Sequence, residues 1–192
     1  MTTIEKREAG GKRERLTEAA RTLFYQQGVH RTTLADIAQE AEVPLGNVYY
    51  HFRTKEALIE AVIEAHLSEI QANFAEWERN PDPYSRLVSY IQAGLAIAEL
   101  VSLYGCPRGS LCQELDKGND PLAEKAKEIF DCQLQWVEQQ FRLLGKGDEA
   151  ADLAVDLMSS LQGASLLTNS FHSPELLKRQ LARLETWLAT VA

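Results

Sequence analysis

An all-α fold of about nine helices is predicted for this chain of 192 residues by three observations. Apolar residues recur at the three- and four-residue spacing of helical faces, and no stretch longer than a few residues alternates as a half-buried strand does. Proline and glycine clusters break the periodic segments at intervals suited to helices. With 45% apolar residues the chain can bury a real core, as one body or as two small domains sharing a helix.

The first helix is expected over about Lys12–Gln27, with Leu16, Ala20, Leu23 and Phe24 on one stripe and Gly28 as a left-handed stop. Thr33 opens a second, two-turn helix, because Thr-Leu-Ala-Asp supplies a hydroxyl cap with an acid three residues on, and Leu34, Ile37, Ala38 and Ala41 face inward. Pro44 suits the first turn of a third short helix that runs to Phe52. Thr54 then caps a long helix over roughly Lys55–Glu78, which buries Leu58, Val62, Ala65, Ile70 and Phe74. Asn80-Pro81-Asp82-Pro83 ends it, since a proline disfavours helix in the residue before it. Further amphipathic helices are expected at about Tyr84–Leu103, Ser110–Asp116, Pro121–Leu144, Asp148–Ser170 and Pro174–Val191.

The net charge of −8 is distributed unevenly. Residues 1–55 carry a net +2 and the remaining 137 a net −10, so a mildly basic head precedes an acidic body and two jobs are implied. The opening MTTIEKREAGGKRERL has no apolar core behind its charges and does not read as a secretory signal. The best apolar stretch, Gly94–Tyr104, is interrupted by Glu99 and falls short of the roughly 20 residues that span a bilayer. A cytoplasmic protein with no membrane partner is expected. Its three cysteines, an odd number, read as reduced thiols.

Residues 33–52, TLADIAQEAEVPLGNVYYHF, form two short helices around a tight turn at Ala41-Glu42-Val43. Leu45, Asn47, Tyr49, Tyr50 and His51 cannot all be buried on so short a helix. One reading is a helix-turn-helix whose second helix enters the major groove of DNA. Asn47 then suits a base edge, whereas the tyrosine hydroxyls, His51, Lys55 and Thr33 suit phosphate oxygens. The other reading is that Tyr49, Tyr50 and Phe52 staple a three-helix core, for which Phe52 is the best placed.

TTLADIAQEAEVPLGNVYYHFRTKEAL, with AARTLFYQQGVHRTTL before it, resembles the signature of the TetR family of bacterial transcriptional regulators over Arg13 to about Ala61. The pattern departs from its commonest form in having Glu42 where Gly is frequent and Pro44 where Ser or Thr is frequent. The resemblance implies a three-helix DNA-binding domain at 1–55 and a helical ligand-binding and dimerisation domain at 56–192. It implies that Thr33, Tyr49, His51 and Lys55 lie at the DNA backbone and that Leu45, Gly46, Asn47 and Tyr50 face the bases. It also implies a homodimer, most often a repressor, that leaves a palindromic operator when a small-molecule effector enters the body.

In the body, Leu153, Leu157, Leu161, Ala164 and Leu167, with Leu177, Leu181, Leu184 and Leu188, make the last two helices (about 148–191) a candidate dimer face. Ser159, Ser160, Gly163 and Ser165 would let helices approach closely, and the same stripes equally suit intrachain core. Phe74, Tyr90, Tyr104, Trp136 and Gln162 are candidate effector-binding residues, although aromatics on helices describe a core as well as a pocket. Asn169 is a further amide inside an apolar helix that wants a partner.

Cys106 and Cys112 sit in YGCPRGSLCQEL, where Gly105 and Pro107 break one helix and Ser110 with Gln113 reads as the capping box of the next. Cys112 in the first turn and Cys106 beside Arg108 would both favour a thiolate, and a few members of the resembling family sense electrophiles or oxidants through a Gly-Cys at this point. A small residue at a tight junction is the plainer reading. Cys106, Cys112 and Cys132 lack metal-ligand spacing, no histidine is tied to Cys106 as a base, and no cofactor or phosphate loop is present, so no metal, cofactor or catalysis is expected. The rival readings are a thiol-dependent enzyme or stress protein using Cys106 and Cys112, and a sequence-indifferent nucleoid-type binder.

Overall fold

The computed structural model describes residues 11–118 and 120–192, so the reading of Met1–Gly10 lies outside the described residues. Every regular element among those described is helical. They are α1 Lys12–Gln27, α2 Leu34–Glu40, α3 Leu45–His51, α4 Lys55–Trp77, α5 Pro83–Gln92, α6 Ala98–Tyr104, α7 Pro107–Lys117, α8 Ala123–Leu143, α9 Ala150–Ser170 and α10 Pro174–Val191, with short 3₁₀ segments at Ala93–Ile97 and Gly147–Glu149. Two compact units result: one takes residues up to Leu67 with Ser110–Lys127, the other Ser68–Gly109 with Glu128–Ala192.

In the first unit, Leu16, Ala20 and Phe24 of α1, Ile37 and Ala38 of α2, Val48 of α3 and Leu58, Val62 and Ile63 of α4 are buried together with Phe52. Burying the leucine, isoleucine, valine and phenylalanine side chains among them contributes about 1.5–3 kcal/mol each. Gly28 ends α1 as expected, at φ 89° but ψ 157°, an extended left-handed conformation rather than the compact one. Its N–H donates to the Phe24 carbonyl at 3.0 Å.

The predicted hydroxyl cap of α2 is present: Thr33 Oγ1 accepts the Asp36 N–H at 3.2 Å, and Asp36 Oδ2 accepts the Thr33 N–H at 2.8 Å. The backbone N–H of Thr33, and then its hydroxyl, hold the Asp36 carboxyl below its ordinary pKa. Pro44 is one residue earlier in role than expected. With φ −54° and ψ 137° it is the residue before α3, not the first of it, and offers no side-chain cap.

In the second unit, Leu87, Ile91, Val137, Phe141, Leu157, Leu181 and Leu188 form the centre of one core. The single helix expected at Tyr84–Leu103 is broken by the 3₁₀ segment. Gly94 lies in that segment, where an added Cβ would stand 3.2 Å from the Leu181 side chain of α10, a tight approach that a larger residue would meet only by shifting that leucine. Pro83–Tyr104 spans 22 residues and by length and composition alone could cross a membrane, where the sequence reading found nothing approaching that. Leu87, Tyr90, Ile91, Ala98 and Val101 of this stretch are core residues, whereas Leu95, Ile97, Leu100 and Leu103 are exposed.

The leucine stripes assigned to a dimer face turn inward. Leu157, Ala164, Leu177, Leu181, Leu184 and Leu188 are buried within the chain, and Leu153 and Leu161 pack against the same core. Of that set Leu167 alone is exposed, beside Val155, Leu166 and Phe171.

Candidate nucleic-acid interface

Two helices of seven residues each meet at a turn whose central residue, Glu42, has φ 54°. A non-glycine side chain in the left-handed region is strained, which gives the glycine frequent at this place in the resembling family its physical meaning. Val43 N–H closes the turn on the Ala38 carbonyl at 2.9 Å. Beneath the turn Val48 and Phe52 are buried and fix which way α3 faces.

The rest of α3 points outward. Tyr50 is 84% and Tyr49 54% exposed, and Leu45 is exposed with them. This resolves the choice left by the sequence: Phe52 staples the core and the two tyrosines do not. Gly46 is exposed with no atom within 4 Å of where a Cβ would be, so side chains could be added there without collision. Asn47 is half-buried, its N–H donating to the Pro44 carbonyl at 2.8 Å. The His51 ring is half-buried and meets the Tyr50 ring edge-on at 5.1 Å between centroids. Lys55 begins α4 and is half-buried, with Thr54 before it accepting the Ala57 N–H at 3.2 Å.

Leu45, Gly46, Tyr49 and Tyr50 are thus gathered as one exposed surface on a seven-residue helix, flanked in sequence by the exposed Arg53. Thr33 is exposed, but both its donors are engaged: the hydroxyl donates to Asp36 Oδ2 at 2.7 Å and the N–H to the same oxygen. A phosphate taking Thr33 as a donor must displace that carboxylate.

One residue of this unit escaped the sequence reading. Glu114 of α7 accepts the backbone N–H of Val29 at 2.8 Å and of His30 at 2.7 Å, satisfying the chain where it leaves α1. Its carboxylate also lies 3.0 Å from where a Cβ on Gly28 would be, a second reason for glycine there. Eighty-five residues separate Glu114 from Val29, and no local pattern announces such a pair. Lys125 of α8 pairs with both Glu60 and Glu64 of α4 in the same unit, and those hydrogen bonds raise its pKa.

Within the second unit, three of the five effector candidates come together. Phe74 stacks on Trp136 at 4.4 Å, Tyr90 stands 5.9 Å from Trp136, and Trp77 joins them at 5.5 Å from Trp136. Trp136 Nε1 donates to Glu78 at 2.8 Å. Gln162 is half-buried against Gly109, and Tyr104 is half-buried at the end of α6. Asn169 has a protein partner, donating to the Ser102 carbonyl at 3.3 Å.

Of the two cysteines near the helix start, Cys112 departs from its expected place. Helix α7 begins at Pro107, because proline suits a first turn, so Ser110 is no cap and Cys112 lies in mid-helix with its thiol donating to the Ala126 carbonyl at 3.2 Å. Cys106 is the thiol at the helix start, its Sγ accepting the Gly109 N–H at 3.3 Å. Burial pushes the Cys132 thiol up, with Arg108 opposing. All three cysteines are half-buried, and no group of three metal-ligating side chains occurs among the described residues.

The model of the bacterial regulatory proteins of the tetR family matches residues 16–62. The chain is 31% identical over 165 residues, 80% of each chain, to the HTH-type transcriptional repressor DhaR of Mycobacterium sp. (strain GP1). It is 42% identical over 82 residues, 43% of this chain and 39% of the relative, to the HTH-type transcriptional regulator TtgR of Pseudomonas putida. Its fold is similar to that of a TetR transcriptional regulator from Legionella pneumophila, with a TM-score of 0.82 at 22% identity over 92% of this chain and 97% of the other. With α2, its strained turn and α3 built as a helix-turn-helix and a relative matched over four-fifths of both chains, the protein belongs to the tetR family of bacterial regulatory proteins and is a DNA-binding transcriptional regulator.

Proposed function

We propose that this regulator is a cytoplasmic homodimer that represses transcription from a two-fold symmetric operator and releases it when an effector acts on residues 56–192, the part beyond the DNA-binding residues 1–55. The observation that carries the reading is the exposed row Leu45, Tyr49 and Tyr50 on a helix whose other face, Val48, is buried. Large apolar and aromatic groups held in water on so short a helix are accounted for by a partner that covers them. Leu45, Gly46, Asn47 and Tyr50 then meet base edges, while Thr33, Tyr49, His51 and Lys55 hold phosphates and set the register. The relative DhaR, named a repressor, supports repression as the direction of control.

Selection from random duplex pools tests this directly, with enrichment of a two-fold symmetric site expected. Failure to enrich such a site, with binding that only tracks salt, would favour a nucleoid-type binder instead. Tyr49→Ala and Lys55→Ala are each expected to weaken operator binding about tenfold, and Lys55→Ala to lower the salt slope by about one, with the dimer intact in both. Wild-type affinity in either variant overturns the assigned docking.

The body carries the effector function, with Phe74, Tyr90, Trp136, Tyr104 and Gln162 as its binding residues, and an effector releases DNA only by preferring one of two states. A second route is supported by Cys106, which stands at the start of α7 beside Arg108, whereas Cys112 has the poorer position in mid-helix. Hypochlorite or a quinone is expected to release operator from wild type and to do so at least several-fold less from Cys106→Ser. Equal release dismisses a sensing role for that thiol. No catalytic role is assigned to any of the three cysteines.

A further inference from the structure

Arg108 stands in the first turn of α7 with its side chain only 26% exposed, and its five N–H donors are poorly matched by acceptors. Nε is buried without a hydrogen-bond partner. Nη1 reaches Gln133 Oε1 at 3.4 Å, a stretched contact, and that oxygen is also 3.3 Å from the Tyr90 hydroxyl. Nη2 is 4.0 Å from Glu69 Oε2, beyond hydrogen-bonding range. A guanidinium withdrawn this far from water ordinarily meets an anion through paired bonds, because each unmatched buried donor leaves its desolvation uncompensated.

The surroundings define what kind of anion fits. Tyr90 joins the polar corner to an apolar one: its hydroxyl lies 2.6 Å from Met158 Sδ, and its ring stands 5.9 Å from both Trp77 and Trp136. Trp136 in turn stacks on Phe74. Burial drives the Tyr90 phenol and the Cys132 thiol up from their ordinary pKa values, so both stay neutral and add no charge to set against Arg108. With Glu69 already 4.0 Å away, a dianionic phosphate would set three negative charges around one guanidinium, whereas a carboxylate adds a single one.

We infer that Arg108 is an anion-recognition residue for a small organic acid, whose carboxylate takes the unmatched guanidinium donors while its apolar body lies against Tyr90, Trp136 and Phe74. The inference rests on the reading that residues 56–192 take up an effector, and it names the chemical class of that effector.

The test measures binding without DNA, on the full-length protein, through the fluorescence of the clustered Trp77 and Trp136. Two probes, 4-phenylbutyrate and decanoate, are each compared with their primary amides. At least one acid is expected to give a saturable change and to bind about tenfold or more tightly than its amide, the worth of a charge-assisted pair. Arg108→Gln is expected to remove the preference and Arg108→Lys to keep part of it. Acid and amide binding wild type equally, neither acid binding, or Arg108→Gln retaining the preference overturns the proposal. The acid-against-amide comparison in wild type stands even where Arg108→Gln does not fold. Operator release is measured separately: an acid that binds through Arg108 yet leaves the operator complex intact sinks the effector reading and spares the site, and the converse sinks only the site.

Discussion

Truncating Phe52 to alanine is expected to cost the DNA-binding unit about 3–5 kcal/mol and to abolish operator binding without touching any proposed contact residue. Phe52 is 2% exposed, and the guanidinium of Arg13 lies 4.8 Å from its ring centroid, an interaction of about 0.5–1 kcal/mol on the exposed side. Its N–H donates to the Val48 carbonyl at 2.7 Å, so the ring closes the last turn of α3 onto the core. A loss of this size is a large share of the roughly 5–15 kcal/mol that holds a domain folded. Urea unfolding followed by circular dichroism checks it, with Phe52→Leu, a smaller apolar truncation, expected to cost less than half as much. An unchanged unfolding midpoint in Phe52→Ala would show that the tyrosines, not Phe52, hold α3 in place.

The second large effect is expected from the double substitution Leu166→Glu with Phe171→Glu. Both residues lie at the exposed C-terminal end of α9, at 67% and 70% exposure, with Val155, Ser159 and Gly163 continuing an outward face toward its start. Helix α10 presents Ala182, Thr186 and Ala189 outward, small side chains that permit close approach of a neighbouring helix. In the proposed dimer a second copy of the chain would cover this face, since a two-fold axis brings identical patches together. Placing four carboxylates across that axis is expected to give a monomer by analytical ultracentrifugation and to lower operator affinity about 100-fold or more through loss of bivalency. Because neither residue is buried in the chain, the unfolding midpoint of the monomer should change little. A variant that sediments as a dimer places the interface elsewhere.

The leucine stripes of the last two helices are where sequence and structure diverge most usefully. Leucines at 177, 181, 184 and 188 mark a helix face that must be covered, and periodicity cannot say whether a neighbour in the chain or a second copy covers it. The structure assigns those four leucines to the intrachain core and leaves Leu166, Leu167 and Phe171 outside, a set that no stripe in the sequence would isolate. Cys106 and Cys112 teach the same lesson on a smaller scale. Ser110 with Gln113 satisfies the pattern of a capping box, but Pro107 starts the helix a turn earlier and makes Cys106 the terminal thiol.

The sequence alone determined the elements whose causes are local. Thr33 with Asp36 starts α2, Gly28 stops α1, Pro81 and Pro83 separate α4 from α5, and too many large side chains on VYYH require an exposed surface on α3. Each follows from backbone geometry and hydrogen bonding within a few residues, which is why the helix-turn-helix is legible in the residues themselves. Only the tertiary structure decided the pairings of residues far apart in the chain: Glu114 on the backbone of Val29 and His30, Phe74 on Trp136, Arg108 against Gln133, Leu181 against Gly94. A side chain that is apolar or charged states what it needs from a partner. Which partner meets that need depends on how the helices close around one another, and that information is spread over the whole packed core.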